Sequence, residues 1–179
     1  MIDLLRSSIG YRAARYHFRR STDEVISFTG SLTAADRVLL IMPLDGSPLY
    51  PVAPVVAMMR DLLAEDNLTI VTMEHSTEAL TALPRSHIIR ILPKEVNAWF
   101  LPHRDVVERV HRRTYDTAVD LNLDFNLPSG YICRESKARV RVGFVGKRAD
   151  AFYNLQIQVN PAQSRTILYE RMAKCLRMF

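Results

Sequence analysis

The sequence predicts a single Rossmann-like α/β domain, in which a mostly parallel sheet of five or six strands carries helices on both faces. Short runs of consecutive apolar residues recur along the chain, as expected for strands that are buried on both faces. Helix-sized segments of about ten to twenty residues separate these runs, which is typical of βαβ units. The length of 179 residues suits one well-buried domain and is short for two.

Six strands and six helices follow from these patterns. The predicted strands cover residues 37–43, 68–73, 87–92, 115–121, 139–144 and, as a short sixth strand, 155–159. The predicted helices cover residues 3–20, 52–64, 77–83, 103–113, 127–137 and 164–178. Ser164 is the expected N-cap of the last helix, because its hydroxyl can accept from the first turn. The inner face of the second helix is expected to carry Val52, Val55, Val56, Met59, Leu62 and Leu63.

Residues 1–30 are predicted to form a basic helix and a linker, and residues 31–179 the Rossmann-like domain. An apolar residue recurs every three to four positions of this helix, which predicts a buried stripe of Leu5, Ile9, Ala13 and Tyr16. A different face carries Arg12, Arg15 and Arg19. Two interpretations stay open: the arginines lie in water while the helix packs on the domain, or they bind an anionic membrane surface.

Composition excludes several classes of protein. Hydrophobic residues make up 48% of the chain and charged residues 24%, as in ordinary globular proteins. We expect no membrane-spanning helix and no signal peptide, and the two distant cysteines, Cys133 and Cys175, are typical of the cytoplasm. The net charge of +5 accompanies no nucleic-acid-binding motif, so a nucleic-acid partner is not expected. The sequence also lacks the glycine-rich fingerprint of a dinucleotide cofactor, and we predict no cofactor.

The turn after the first strand is the first candidate site. Asp45, Gly46 and Ser47 follow an apolar strand and precede a helix, where open α/β sheets usually bind ligands. Asp45 is a candidate general base, and Gly46 and Ser47 are candidate substrate-binding residues. The alternative is a tight turn that needs glycine and serine for its backbone.

A second candidate site follows the fourth strand. Polar residues alternate there at Asp120, Asn122, Asp124 and Asn126, and the first three are predicted to bind sugar hydroxyl groups. The alternative is a strand end held by Asx turns. The spacing lacks the glycine and glutamate of a calcium loop. The histidines, including His75 after the second strand, lack ligand spacing, so no metal site is predicted.

Two strands carry a resemblance to a known family. Residues 115–122 read YDTAVDLN, and residues 138–144 read ARVRVGF. Together they resemble the YD-x-x-x-DL and A-x-x-R-x-GF strands of the heptosyltransferases, GT-B sugar transferases that build the lipopolysaccharide core. The first strand with its turn and helix, and the helix around residues 165–176, resemble other parts of the same N-terminal half. The resemblance covers residues 37–178.

The resemblance implies an acceptor-binding domain for hexosyl or heptosyl transfer. The family's second domain binds the nucleotide sugar, and too little chain follows to form it, so we expect no activity from this chain alone. The family's first strand ends in a Gly-Asp whose aspartate is a proposed base. Here Ser47 follows Gly46, and Asp45 precedes it, so the base is either displaced or lost.

The remaining partner and function hypotheses differ in class. The hypothesis of a sugar transferase requires a separate donor-binding domain, or a homo-oligomer, as partner. The alternative function is a non-catalytic interaction module or membrane-associated scaffold, peripheral on the inner face of the cytoplasmic membrane. A third hypothesis is an independent small-molecule enzyme that uses Asp45 and Asp120.

Overall fold

A parallel sheet lies at the centre of the computed structural model, which describes residues 2–21, 35–46, 48–63, 66–73 and 86–178. Within those ranges the sheet has six strands, in the order β3-β2-β1-β4-β5-β6. The strands are β1 Val38–Ile41, β2 Leu68–Met73, β3 His87–Ile91, β4 Thr117–Asp120, β5 Val140–Phe144 and β6 Leu155–Ile157. Every neighbouring pair is parallel. The predicted fold class is confirmed.

The strand order reverses between β1 and β4. The chain adds β2 and β3 on one side of β1, then returns to place β4 on the other side, with Leu40 opposite Val119. Helices that follow β1 and β4 cover opposite faces, so a crevice forms at the carboxyl ends of these two strands. The fold therefore brings the two candidate loops, after the first and fourth strands, to one point of the sheet.

Helices cover both faces of the sheet. One face packs against α2 Ala53–Leu62 and α5 Arg165–Leu176, with a core that includes Leu40, Met59 and Met172. The other face packs against α1 Ile2–Phe18, α3 Arg104–His111 and α4 Leu127–Glu135, with a core that includes Ile41 and Phe152. β1, β2 and β5 are buried along almost their whole length because each of their sides meets a helical layer. His87 and Arg90 of the edge strand β3 are exposed.

Most predicted elements are present, with differences at their ends. The strand predicted over residues 68–73 has those bounds in the structure. Ser164 caps α5 as predicted, since its hydroxyl accepts from the Ile167 amide. On α2 the prediction for Leu62 is wrong: it is exposed, and Met58 is buried in its place. The helix predicted over residues 77–83 and the predicted boundary at residues 30 and 31 lie outside the described residues.

The prediction for the inner face of α1 is wrong. The predicted stripe of Leu5, Ile9, Ala13 and Tyr16 is exposed, whereas Gly10 and Ala14 are buried. A Cβ atom at position 10 would overlap the Trp99 carbonyl oxygen, so the helix approaches the domain along its smallest residues. Close approach at small side chains decides the orientation of this helix more strongly than its apolar periodicity.

Aromatic contacts and a hydrogen bond hold the inner face of α1 in place. The rings of Tyr11 and Phe18 each lie 6.1 Å from the ring of Phe152. Nε2 of His17 lies 2.7 Å from the carboxylate of Glu135 on α4, a side chain that is itself buried. α1 is therefore a fixed part of the second helical layer.

Candidate ligand-binding site at the carboxyl edge of the sheet

The turn after β1 presents its polar residues to solvent. Asp45 and Gly46 are both exposed, and Gly46 has a φ angle of +76°. A side chain is strained in this left-handed region, so the turn favours glycine. Ser47 lies outside the described residues. The backbone conformation therefore explains why glycine is present at position 46. Asp45 places a carboxylate at the switch point of the sheet, where the strand order reverses between β1 and β4.

Asp45 lies within electrostatic range of the first turns of α5. Burial raises the pKa of the Tyr169 phenol, Arg165 opposes this effect, and the carboxylates of Asp45 and Asp120 raise the pKa further. The Tyr169 hydroxyl donates a 2.7 Å hydrogen bond to the Leu121 carbonyl oxygen. Tyr169 therefore joins α5 to the end of β4, beneath the loop that carries Asp45.

Asp120, at the end of β4, is completely buried. Its carboxylate accepts from the Asn122 amide at 2.9 Å, from the Asn122 side-chain nitrogen at 2.6 Å and from the Tyr153 hydroxyl at 2.6 Å. Burial raises the pKa of Asp120, although these donors act in the opposite direction. Asp120 reaches no open surface, so its position does not support the predicted contact with a ligand.

Asn122 connects the ends of β1 and β4. Its side-chain oxygen accepts from the Leu44 amide at 2.9 Å, and its side-chain nitrogen donates to the Met42 carbonyl oxygen at 3.3 Å. Only 7% of the residue is exposed. Asn122 therefore fixes the loop that leads to Asp45, and its position favours an orienting role over direct ligand binding.

The remaining polar residues of this loop differ in role. Asp124 is exposed at the edge of the sheet. Asn126 is the N-cap of α4, where its side chain accepts from the Ser129 amide at 3.2 Å. The alternation seen in the sequence therefore separates into two buried residues that shape the edge, one helix cap and one exposed carboxylate.

A cavity of about 380 Å³ opens at the same edge of the sheet. Strand ends contribute one wall, and the other comes from aromatic and proline side chains of the following loops. The lining includes Leu44, Met73, Ile91, Phe100, Phe125 and Pro128. Leu44 directly precedes Asp45, and Phe125 directly follows Asp124, so the two exposed carboxylates lie on the loops that border this cavity.

The loop between β3 and α3 forms the aromatic wall of the cavity. Phe100 has a φ angle of +61°, which is unusual for a bulky residue. The side-chain oxygen of Asn97 holds this conformation by accepting from the amides of Trp99, at 2.9 Å, and Leu101, at 3.1 Å. Such strained residues concentrate at ligand sites. No site was predicted in this loop, and Asn97 is the one residue of 97–101 whose type favours a turn.

Other sequence candidates are not part of this edge. His75 lies outside the described residues. Within the described ranges, no three acidic, histidine or cysteine side chains are grouped as metal ligands would be. In that same part of the chain, none of the helices combines the length and the apolar character that spanning a membrane requires.

Comparison with known proteins adds information on the fold. No protein-family model matches the sequence, and no curated protein matches it. Among solved structures, E. coli heptosyltransferase WaaC with ADP superimposes with a TM-score of 0.59 over 78% of this chain. The two chains share a fold. Sequence identity is 12%, and the match covers 46% of the heptosyltransferase, so this chain spans about half the length of that protein.

The structural match confirms the fold relationship that the motifs of β4 and β5 predicted. At 12% identity it shows the glycosyltransferase-like Rossmann architecture and carries no residue roles.

Proposed function

We propose that this chain is a glycosyltransferase-like domain that binds a sugar acceptor at the carboxyl edge of its sheet. The cavity of about 380 Å³ at the switch point between β1 and β4 carries this proposal. Open α/β sheets bind their ligands at that point, and the fold is shared with a heptosyltransferase.

The lining of the cavity suits a sugar. Phe100 and Phe125 offer apolar faces against which the C–H faces of a pyranose can pack. Asp45 and Asp124, on the bordering loops, supply carboxylates that accept hydrogen bonds from hydroxyl groups. The lining itself is mainly apolar and includes the polar residues Ser7 and Asn126, which is the usual composition of a small-molecule site.

Asp45 is the proposed general base of the transfer reaction. In that role its carboxylate takes the proton of the acceptor hydroxyl while the oxygen attacks the anomeric carbon of the donor sugar and the nucleotide leaves. Asp124 and the backbone of Gly46 complete the acceptor contacts. Asp120 and Asn122 act as positioning residues, because their buried hydrogen bonds hold the two loops together.

In our proposal the nucleotide-sugar donor binds to residues other than the described ones. Sugar transfer requires donor and acceptor to be held in contact, and much of its rate comes from that proximity. The described residues form one sheet with one set of carboxyl-edge loops, and the acceptor occupies that edge in our proposal. A second domain, or a second chain, would hold the nucleotide sugar, and the chain alone would bind the acceptor without turnover.

Isothermal titration of the full chain tests this function. The ligands are lipopolysaccharide-core fragments, free nucleotides and nucleotide sugars, each titrated separately. We expect a core fragment to bind without nucleotide and Asp45→Asn to weaken it by about tenfold or more, since hydrogen bonds to charged groups contribute about 1.5–3 kcal/mol. Asp36→Asn is the matched control, because Asp36 is an exposed aspartate before β1, at the opposite edge of the sheet.

Two results would contradict the proposal. Absence of binding across all core fragments would remove the acceptor role. Binding of a nucleotide sugar that Asp45→Asn weakens and Asp36→Asn leaves unchanged would assign the edge to the donor instead.

A further inference from the structure

The outer face of α1 is an exposed apolar stripe. Ile2 is 67% exposed, Leu5 64%, Ile9 41% and Tyr16 64%. Their spacing of three to four residues places them one above another on a single side of the helix, together with Ala13. A contiguous apolar surface of this kind on a folded protein marks an interaction site more often than a chance arrangement.

The contacts of α1 keep this stripe facing outward. Gly10 lies against the backbone of Trp99, and His17 pairs with Glu135, so the opposite side of the helix is committed to the domain. Rolling the helix to bury Leu5 and Ile9 would break both contacts. The stripe is therefore part of the folded surface of the molecule.

Arginines border the stripe. Residues 2–21 contain five arginines and one acidic residue, Asp3, which lies 3.5 Å from Arg6. At 100° per residue, Arg12 and Arg19 follow the stripe on one side and Arg6 on the other. The guanidinium of Arg19 lies 3.6 Å from the centre of the Tyr16 ring, so charge and apolar surface are in direct contact.

A basic pocket continues from this border toward the domain. Its volume is about 530 Å³, and its lining includes Arg15, Arg19 and Arg134 with the rings of Tyr11 and Phe18. Outside the lining, the guanidinium of Arg148 lies 4.9 Å from the centre of the Tyr11 ring. The acid in the lining, Asp150, accepts a 2.7 Å hydrogen bond from Gln156. Planar guanidinium groups at such a concentration suit phosphate oxygens.

We propose that α1 docks this protein on an anionic phospholipid surface. The stripe of Ile2, Leu5, Ile9 and Tyr16 enters the boundary between headgroups and acyl chains, while the pocket of Arg15, Arg19 and Arg134 receives headgroup phosphates. Interfacial helices combine an apolar face with flanking basic residues in this way. Each basic residue near an anionic membrane adds attraction that salt weakens.

Charge decides between a membrane and a second copy of the chain. A two-fold contact through the stripe would place two arginine-rich helices side by side, and like charges in proximity oppose association. An anionic surface satisfies the apolar stripe and the arginines together. The charge arrangement therefore favours lipid.

Vesicle flotation of the full chain tests the proposal. The probes are phosphatidylcholine vesicles with and without phosphatidylglycerol, over a series of salt concentrations. We expect binding to the mixed vesicles at low salt and its loss as salt rises. Arg15→Gln/Arg19→Gln should weaken binding by about thirtyfold, which corresponds to about 1 kcal/mol per basic residue at an anionic surface. Leu5→Ser/Ile9→Ser keeps every charge and should weaken binding by about tenfold or more.

Arg139→Gln/Arg171→Gln is the matched control for charge. Both arginines are exposed, and Arg171 lies on α5, across the sheet from α1, so this variant should bind like the unchanged chain. If the two arginine variants lose equal affinity for mixed vesicles, net charge alone explains the binding and the proposed docking surface is wrong. Failure to bind mixed vesicles at low salt would also overturn it. Self-association that Leu5→Ser/Ile9→Ser abolishes, without vesicle binding, would assign the stripe to a second copy.

Discussion

The Tyr153 hydroxyl donates a 2.6 Å hydrogen bond to the Asp120 carboxylate beneath the carboxyl edge of the sheet. Both residues are buried, and 33 positions separate them in the chain. The bond joins the end of β4 to the segment that precedes β6. The buried Tyr153–Asp120 hydrogen bond therefore lies beneath the loops that border the cavity, and we expect it to stabilise the shape of the candidate site.

Tyr153→Phe should lower the free energy of unfolding by about 1–3 kcal/mol, because it leaves a carboxylate oxygen of Asp120 without its donor in the interior. Urea denaturation followed by circular dichroism measures the change. Tyr50→Phe is the control, since Tyr50 is 76% exposed and the same loss of a hydroxyl should have almost no effect there. Equal stabilities for both variants would show that the buried pair does not stabilise the fold.

Asp120 also predicts a pH dependence of stability. Burial raises its pKa in the folded state, despite the opposing hydrogen bonds. The folded protein then holds this proton at pH values where the unfolded chain, with a pKa of about 3.9, has released it. The contribution to stability is complete below about pH 3.9 and is lost as the pH rises through the folded-state pKa.

Asp120→Asn should remove that dependence. Between about pH 4 and pH 7 the free energy of unfolding of the unchanged chain should fall relative to that of the variant. Urea titrations at several pH values measure the difference between the two proteins. A difference that stays constant with pH, or that grows in favour of the unchanged chain, would contradict the raised pKa.

The sequence predicted the sheet better than the site. Apolar runs such as Leu68–Met73 define strands because both of their faces must be covered, and this requirement is local. The βαβ pattern predicted a mostly parallel sheet with helices on both faces, but the strand order, which brings the loops after β1 and β4 together, came from the structure. The Asp120–Tyr153 bond could not be predicted, because it depends on where a distant segment returns to the sheet.

The orientation of α1 shows why periodicity alone was insufficient. The stripe of Leu5, Ile9 and Tyr16 has the correct spacing for a buried face, yet those residues are exposed. The helix packs through Gly10 because the Trp99 backbone lies directly against it, a long-range contact that no local pattern records. The same contact leaves the apolar stripe available to an external surface.

Glu95 predicts a second pH effect, of the opposite sign. Burial alone would raise its pKa, but the Leu92 amide, at 2.8 Å, and Arg109 lower it overall. Glu95 lies in the loop that carries Phe100, and its carboxylate is 2.8 Å from the Arg109 guanidinium. Its contribution is present above the unfolded-state pKa of about 4.3 and is lost as the pH falls through the folded-state value.

Glu95→Gln should therefore reduce the loss of stability that occurs as the pH falls. Below about pH 4.3 the melting temperature of the unchanged chain should fall more steeply than that of the variant. Glu108→Gln is the control, because the Glu108 side chain is 54% exposed in its pair with Arg104 and such pairs contribute little. If the melting temperatures of the unchanged chain and of Glu95→Gln fall equally steeply at low pH, this role of the carboxylate is excluded.

Gly10→Ala separates helix propensity from packing, because the two predict opposite signs. Alanine in a helix interior is favoured over glycine by about 1 kcal/mol, so an isolated helix would gain stability. In the folded protein the added Cβ would overlap the Trp99 carbonyl oxygen, a backbone atom that cannot move aside alone. We expect a lower melting temperature and faster proteolysis within α1.

Arg12→Ala is the control on the same helix, since Arg12 is exposed and its replacement improves helix propensity without a new contact. A variant Gly10→Ala that melts above the unchanged chain would show that α1 does not pack against the loop at Trp99, and would remove the physical reason for the outward orientation of its apolar stripe.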